Sequence, residues 1–429
     1  MSLDQITRSL QKSKSQLNFF DHAYRELSHE AVLGYSFSAF GREEGEDSDP
    51  NAAAFAAEVL QRCFPDLAPL QDGDAIDTWR QSSSQSGSEL RPDFVVRLSR
   101  DKTAYWAAIE TKLGAPVREA QLKDYRDLLQ EEHDASTGGS FSKVVLYKTT
   151  PFFDTIRSYD IDPSDLALLT MEEVGKCLET ACKHVPEQAE PSWLIQEYRS
   201  WVRRQTLTDD LLSHPDFQEW YLADGESIPE AFEDVAENVW PTYPSHRRRV
   251  HWHFVRRLAE TLGGEEAEME PYVQSAPNAR DDSAWVHVQL ASLDNGAVFY
   301  RLDTVSSGQA ALDLRLYCGP KRGLDREDRS HWVGLKKTIR TSLREHLEEK
   351  GLTEMVDTPG RQEYTFQKSA RETSMCRFWL PPHERGKRPS EILEAFPEVH
   401  RAVVETLQDT GEMRQHIERW ALPHRPLQN

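Results

Sequence analysis

Arg91–Tyr125, RPDFVVRLSRDKTAYWAAIETKLGAPVREAQLKDY, is the stretch around which the rest of the chain is organised. DFVVRL and AYWAAIET are apolar, β-branched and aromatic runs of strand length, and SRDK between them is a polar turn. This pattern predicts a β-hairpin that runs at once into a helix. Side chains alternate across a strand, which puts Glu110 and Lys112 on one face and Ile109 and Thr111 on the other. A hairpin symmetric about Asp101 and Lys102 sets Asp93 opposite Glu110, because the turn fixes the register. Two carboxylates and one ammonium then share a patch of sheet.

Carboxylates a few ångströms apart repel unless a proton or a cation sits between them, and oxygen-only ligands suit a hard cation such as Mg²⁺, with Mn²⁺ as a substitute. Such a cation can polarise a phosphodiester and activate a water, while Lys112 orients that water or steadies the developing charge. The ordinary alternative is a salt-bridged hairpin face exposed to solvent.

The order Pro92-Asp93, a strand-length gap, Glu110-Thr111-Lys112 at the end of an apolar strand and Gln121-x-x-x-Tyr125 on a helix resembles the PD-(D/E)XK phosphodiesterase superfamily, the restriction-endonuclease-like nucleases. Upstream lies a helical segment carrying Glu30 and downstream a short apolar strand, SKVVLYKT, in the order helix, three strands, helix, strand. IETK followed by AQLKDYRDLL is similar to the bacterial branch in which Glu-x-Lys precedes a Gln-Leu-x-x-Tyr helix. The resemblance covers residues 20–200. Many members of that branch have asparagine inside Glu-x-Lys, where this chain has Thr111; the position is expected to offer only its backbone carbonyl to a metal.

The resemblance implies an α/β (α+β) fold, a restriction-endonuclease-like αβββαβ core with a mixed sheet flanked by helices. It implies a Mg²⁺-dependent nuclease acting on nucleic acid, DNA foremost, in a setting such as phage defence. Asp93, Glu110 and the Thr111 carbonyl would be metal ligands and Lys112 the catalytic lysine. Glu30, at the edge of a helical apolar stripe, is either a solvated flank or an additional, water-mediated ligand. Gln121 either faces the metal patch, bonding a phosphate or a metal-bound water, or simply satisfies a surface. A homodimer is expected if both strands of a duplex are cut. The alternative, from another class, is a catalytically silent module on the same fold that binds nucleic acid or protein.

With 51 basic against 72 acidic residues the net charge is −21, which argues against a surface that binds nucleic acid all over and requires any such contact to be local. The five cysteines, Cys63, Cys177, Cys182, Cys318 and Cys376, form no Cys-x-x-Cys pair and no dense framework, as expected of free thiols in a reducing cytoplasm. MSLDQITRSLQKSKSQ lacks an apolar core like that of a signal peptide, and no apolar run approaches a membrane span, so no membrane partner is expected.

Before the hairpin, residues 3–38 read as one or two helices with Phe20, Tyr24, Leu27, Ala31 and Tyr35 as a buried stripe. GREEGEDSDP is an acidic loop without the spacing of an EF-hand, and Asp49 or Asn51 caps the helix NAAAFAAEVLQRCF. AIDTW supplies a first strand. After the hairpin, VREAQLKDYRDLLQ is a helix with Leu122, Tyr125 and Leu129 as its apolar side, FSKVVLYKT a strand, and DLALLTMEEVGKCLETAC a short strand entering a helix. The nuclease-like domain is therefore placed at residues 1–207. Residues 208–245, acidic and broken by Pro215, Pro229, Pro241 and Pro244, are expected to form a linker.

Residues 246–429 are expected to form a separate α+β domain. HRRRVHWHFVRRLAETL carries a core stripe of Val250, Phe254 and Leu258, with Arg249, His253, Arg256 and Arg257 on another side. His-Trp-His invites a metal, but residues two apart on a helix diverge. Further on, Lys336, Arg340 and Arg344 fall along one side of a helix and, with the HRRRVHWHFVRR segment, are the expected grip on a polyanionic substrate.

Overall fold

The computed structural model describes residues 1–14, 18, 20, 26–40, 49–70, 74–79, 92–112, 119–134, 139–148, 162–184, 192–223, 246–262, 271–272, 284–287, 298–304, 310–317, 326–357 and 372–408. The chain divides into two compact units, the first of residues 1–211 and 234–243 and the second of residues 212–233 and 244–429.

In the first unit, helices α1 (Leu3–Lys14), α2 (Glu26–Ala39) and α3 (Pro50–Cys63) precede strands β1 (Ala75–Trp79), β2 (Phe94–Arg100) and β3 (Thr103–Lys112). Helix α4 (Glu119–Asp134) leads to β4 (Gly139–Lys148), and β5 (Leu166–Thr170) to α5 (Met171–His184) and α6 (Trp193–Ser213). The strands form one mixed sheet in the order β1-β2-β3-β4-β5: the first three are antiparallel, and β3, β4 and β5 run parallel. Asp101 and Lys102 make the two-residue turn between β2 and β3, with Asp101 at φ +53°, in the left-handed region that aspartate enters more readily than a β-branched residue. Parallel pairing of β3 with β4 demands a crossover, and α4 supplies it.

Both sheet faces are buried at the centre. On one, Phe94, Val96, Ile109, Val145 and Tyr147 pack against side chains such as Phe37, Phe55, Val174 and Trp201 from the helices. On the other, Val95, Trp106, Ala108, Val144 and Leu146 pack against Leu122, Tyr125 and Leu129 of α4. Burial on both faces explains why AYWAAI and VVLY are continuous apolar runs rather than alternating ones. The Asp49 carboxylate caps α3 by accepting from the Ala52 N–H at 3.0 Å.

Two expectations are corrected in this unit. The stripe on α2 is displaced: Ala31 is exposed and Tyr35 is 44% exposed, its hydroxyl donating to Asp49 at 2.9 Å, while His29, Glu30, Val32, Leu33, Ser36 and Phe37 are buried. Polar side chains occupy that buried face because they find partners there: Ser36 Oγ donates to the Val32 carbonyl at 2.8 Å and His29 bonds Tyr198. Phe20 is buried as expected; Tyr24 and the Leu27 side chain lie outside the described residues. The expected linker is also corrected at its start. Helix α6 runs through residue 207 to Ser213, and α7 (Pro215–Ala223) follows at once, so the start of the expected linker is helical and contributes buried Leu211, Leu212 and Phe217. Pro215 opens α7, the position where a helix needs no N–H from it. Residues 224–245 lie outside the described residues.

The second unit holds α7, α8 (His246–Thr261), α9 (Arg326–Glu349) and α10 (Pro389–Gln408), with an antiparallel sheet in the order β10-β9-β8-β7-β6. Its strands are β6 (Pro271–Tyr272), β7 (Ala284–His287), β8 (Val298–Thr304), β9 (Ala310–Tyr317) and β10 (Glu372–Trp379). It is α+β, as expected, and Val250, Phe254, Leu258, Ile339, Leu343 and Leu347 are buried. TFQKSA, residues 365–370, a further run with the composition of a strand, lies outside the described residues. No helix among the described residues is long and apolar enough to cross a membrane.

Candidate active site

The β2–β3 ladder ends at Phe94↔Ile109, and Asp93 follows one step beyond, opposite Glu110. The Thr111 N–H donates to Asp93 Oδ2 at 2.6 Å. In a strand the N–H and C=O of one residue project to the same edge and those of the next to the opposite edge. Thr111 therefore directs its carbonyl past the end of β2, toward the edge where Asp93 lies. Asp93 and Glu110 take the non-hydrogen-bonded position, where Cα atoms are about 4.5 Å apart and side chains closest.

Glu110 is 2% exposed, and three donors surround its carboxylate. Tyr125 Oη donates to Oε2 at 2.8 Å, Gln121 Nε2 donates to Oε1 at 2.6 Å, and the Lys112 ammonium pairs with Oε1. Gln121 Nε2 also donates to Tyr125 Oη at 2.6 Å. The two α4 residues are one turn apart and so face the same point on β3. A buried carboxylate is expensive unless its oxygens are satisfied, and here the helix and Lys112 satisfy them.

Asp93 is the less compensated partner. Burial, the neighbouring Glu110 charge and the more distant Glu30 charge push its carboxyl up to about 7, against the Thr111 N–H and the Lys112 ammonium. A carboxyl raised this far contributes stability that is complete below its unfolded value of 3.8 and is lost as pH rises through about 7. The metal-free protein is accordingly expected to lose up to about 4 kcal/mol of stability between pH 4 and 7. Asp93→Asn should flatten that slope in thermal melts recorded across the interval; an unchanged slope would show that Asp93 is not its source.

Glu30 is 7% exposed, which removes the solvated-flank reading, and its charge acts on Asp93. Among the described residues no three His, Cys, Asp or Glu side chains gather closely enough to hold a metal. The donors that fit a hard cation are thus the Asp93 and Glu110 carboxylates and the Thr111 carbonyl, all oxygen, with Glu30 acting from further off. Glu30→Gln is expected to slow turnover about tenfold, the lower end of what an outlying ligand-supporting residue costs. A loss as large as that of Glu110→Gln, measured under the same single-turnover conditions, would instead make it a direct ligand.

Behind Thr111, on the opposite sheet face, lies a polar group that sequence reading missed. Tyr147, the register partner of Thr111, hydrogen-bonds the Tyr198 hydroxyl, and Tyr198 in turn bonds His29 Nδ1 at 3.1 Å. Burial pushes His29 down to about 3 and both tyrosine hydroxyls up, so the chain of three stays uncharged. It ties α2, next to Glu30, to the end of β4. Its members come from three distant segments and share no spacing, so no sequence signal identifies them.

The expected basic grip in the second unit is largely absorbed by the fold. Arg249, His251, Trp252 and His253 are buried, Arg257 donates to Gln218 at 2.7 Å, and exposed Arg256 pairs with Glu260. His-Trp-His is therefore a core segment; the side chains of His246, Arg247 and Arg248 lie outside the described residues. Arg340 donates through Nε at 3.1 Å and Nη2 at 2.7 Å to the Ser374 carbonyl, beside a bulge in β10, and Arg344 is exposed. The Lys336 side chain lies outside the described residues. Comparison with protein-family models, curated proteins and solved structures finds no match to the chain.

Proposed function

We propose that the first unit is a Mg²⁺-dependent nuclease built on a restriction-endonuclease-like core, hydrolysing phosphodiester bonds of nucleic acid, DNA foremost. The observation that carries this reading is the gathering of Asp93, Glu110 and Lys112 on one sheet face, with Gln121 and Tyr125 of α4 closing on the same carboxylate. Bound there, the cation would polarise the scissile phosphate and make an attacking water more acidic. Asp93, Glu110 and the Thr111 carbonyl would hold it. Lys112 would leave Glu110 to orient the water and to balance charge developing on the phosphate. Gln121 would keep the Glu110 carboxylate in place and offer a donor to a phosphate oxygen. Cytoplasmic action against foreign DNA, and pairing of two copies to cut both strands, extend the same reading.

One observation favours a second reading. Both Glu110 oxygens are already engaged by protein donors, as expected of a silent module in which Lys112 has replaced the cation. Incubating the protein with plasmid, linear duplex, single strands and RNA, each with Mg²⁺, Mn²⁺ or EDTA, separates the two. Metal-dependent, EDTA-sensitive cleavage supports the nuclease. Binding without cleavage under every condition supports the silent module.

A further inference from the structure

Among the described residues, helix α4 covers only part of the sheet face that carries Asp93, Glu110 and Lys112. Side chains of α4 pack over β3 and β4, whereas on β1 Ala75 and Asp77, which face the same way, are exposed; the Trp79 side chain lies outside the described residues. Arg97 stands in this open half, on the same face of β2 as Asp93. Its guanidinium lies 5.3 Å from the centroid of the Trp106 ring, and its Nε is buried without a hydrogen-bond partner. Asp77 is its register partner across the β1–β2 ladder, yet the two form no ion pair, and no other carboxylate among the described residues pairs with Arg97.

This is an unusual place for an unshared positive charge. A guanidinium stays charged at every working pH, and partial burial without an anion costs free energy. The chain has 72 acidic residues and spends none of those described on this arginine. What the fold provides instead is an aromatic platform, which holds a guanidinium in place while leaving its donors for another acceptor. The position is also measured. Arg97 lies four residue steps from Asp93, about 13 Å in an extended strand, or about four steps of 3.4 Å along a duplex axis.

We infer that Arg97, seated on Trp106, binds a backbone phosphate of the substrate about four nucleotides to one side of the cut, so that the polyanion runs over the open β1–β2 half of the face. This rests on the nuclease reading and gives it a substrate contact within the same unit. It also supplies the local positive charge that a chain of net charge −21 needs beside its carboxylates.

The test measures affinity for a duplex longer than this reach, in EDTA, across a salt series, with the cut first mapped in Mg²⁺. Arg97→Gln is expected to weaken binding about tenfold and to lower the log–log salt slope by about one, the signature of one lost phosphate contact. Arg97→Lys, which keeps the charge and loses the planar fork, should fall between. A second arm uses the unaltered protein and duplexes carrying a single uncharged methylphosphonate at successive positions. Substitution about four nucleotides from the cut should weaken wild-type binding, and Arg97→Gln should be indifferent to it. If Arg97→Gln does not fold by circular dichroism, the methylphosphonate scan decides alone. Cleavage by wild type together with unchanged affinity in a folded Arg97→Gln protein, or a flat methylphosphonate scan, overturns the inference and leaves the nuclease standing. A wild-type protein that neither binds nor cuts any nucleic acid overturns both.

Discussion

Lys112→Ala should lower phosphodiester cleavage by about 10²- to 10³-fold, the cost of removing one preorganised charge-stabilising donor from an active site, and should leave divalent-metal binding intact. The ammonium shares Glu110 Oε1 with Gln121, so its removal leaves that oxygen to Gln121 alone while Tyr125 continues to hold Oε2. A competitor cation is lost, so Mn²⁺ affinity is expected to stay the same or rise. Calorimetric titration with Mn²⁺ beside single-turnover cleavage separates the two effects. Wild-type activity in this variant would remove Lys112 from the chemistry, and loss of Mn²⁺ binding would show that it supports the ligands rather than the reaction.

Alanine at Glu110 or Asp93 should abolish both activities, because each removes one of the two carboxylates that fit the cation. The Glu110 variant carries a second penalty. It removes the acceptor that Glu110 offers to the Lys112 ammonium and to the hydroxyl of buried Tyr125, and losing a partner from a buried hydrogen bond costs about 1–3 kcal/mol. Metal binding must therefore be judged in a folded protein. Glu110→Gln keeps the shape and one acceptor oxygen, and it should melt closer to wild type than Glu110→Ala while binding Mn²⁺ no better. Tight Mn²⁺ binding by a folded Glu110→Gln protein would contradict the ligand assignment.

Much of the site was legible because its parts lie close in sequence and obey local periodicities. The two-residue spacing of Glu110 and Lys112 fixes a common face, the turn sets Asp93 against Glu110, and the four-residue spacing of Gln121 and Tyr125 brings both onto one carboxylate. What was illegible depends on which surface the fold covers. Tyr125 was read as core and is both core and donor. Arg249 and His253 read as part of a basic side, yet both are buried in α8, because charge alone does not say which side of a helix meets a neighbour. Arg340 was read as a phosphate contact, and it serves a backbone carbonyl beside a bulge, a partner set by backbone geometry. The start of the expected linker is a related case: acidic residues and prolines suggest broken structure, whereas α6 continues beyond residue 207 and Pro215 begins a helix.

The turn at Asp101 and Lys102 bears on which genetic changes this site can survive. A strand side chain repeats every two residues, so the turn length sets the parity with which β2 meets β3. Inserting one residue there would leave every site residue in place and still turn Glu110 away from Asp93, or force a bulge that lets the apolar sets of both faces keep their packing. Inserting two would lengthen the loop without changing parity. Odd-length insertions and deletions at the hairpin tip, far along the strands from the carboxylates, thus break the site unless such a bulge absorbs them, whereas even-length ones keep its parity.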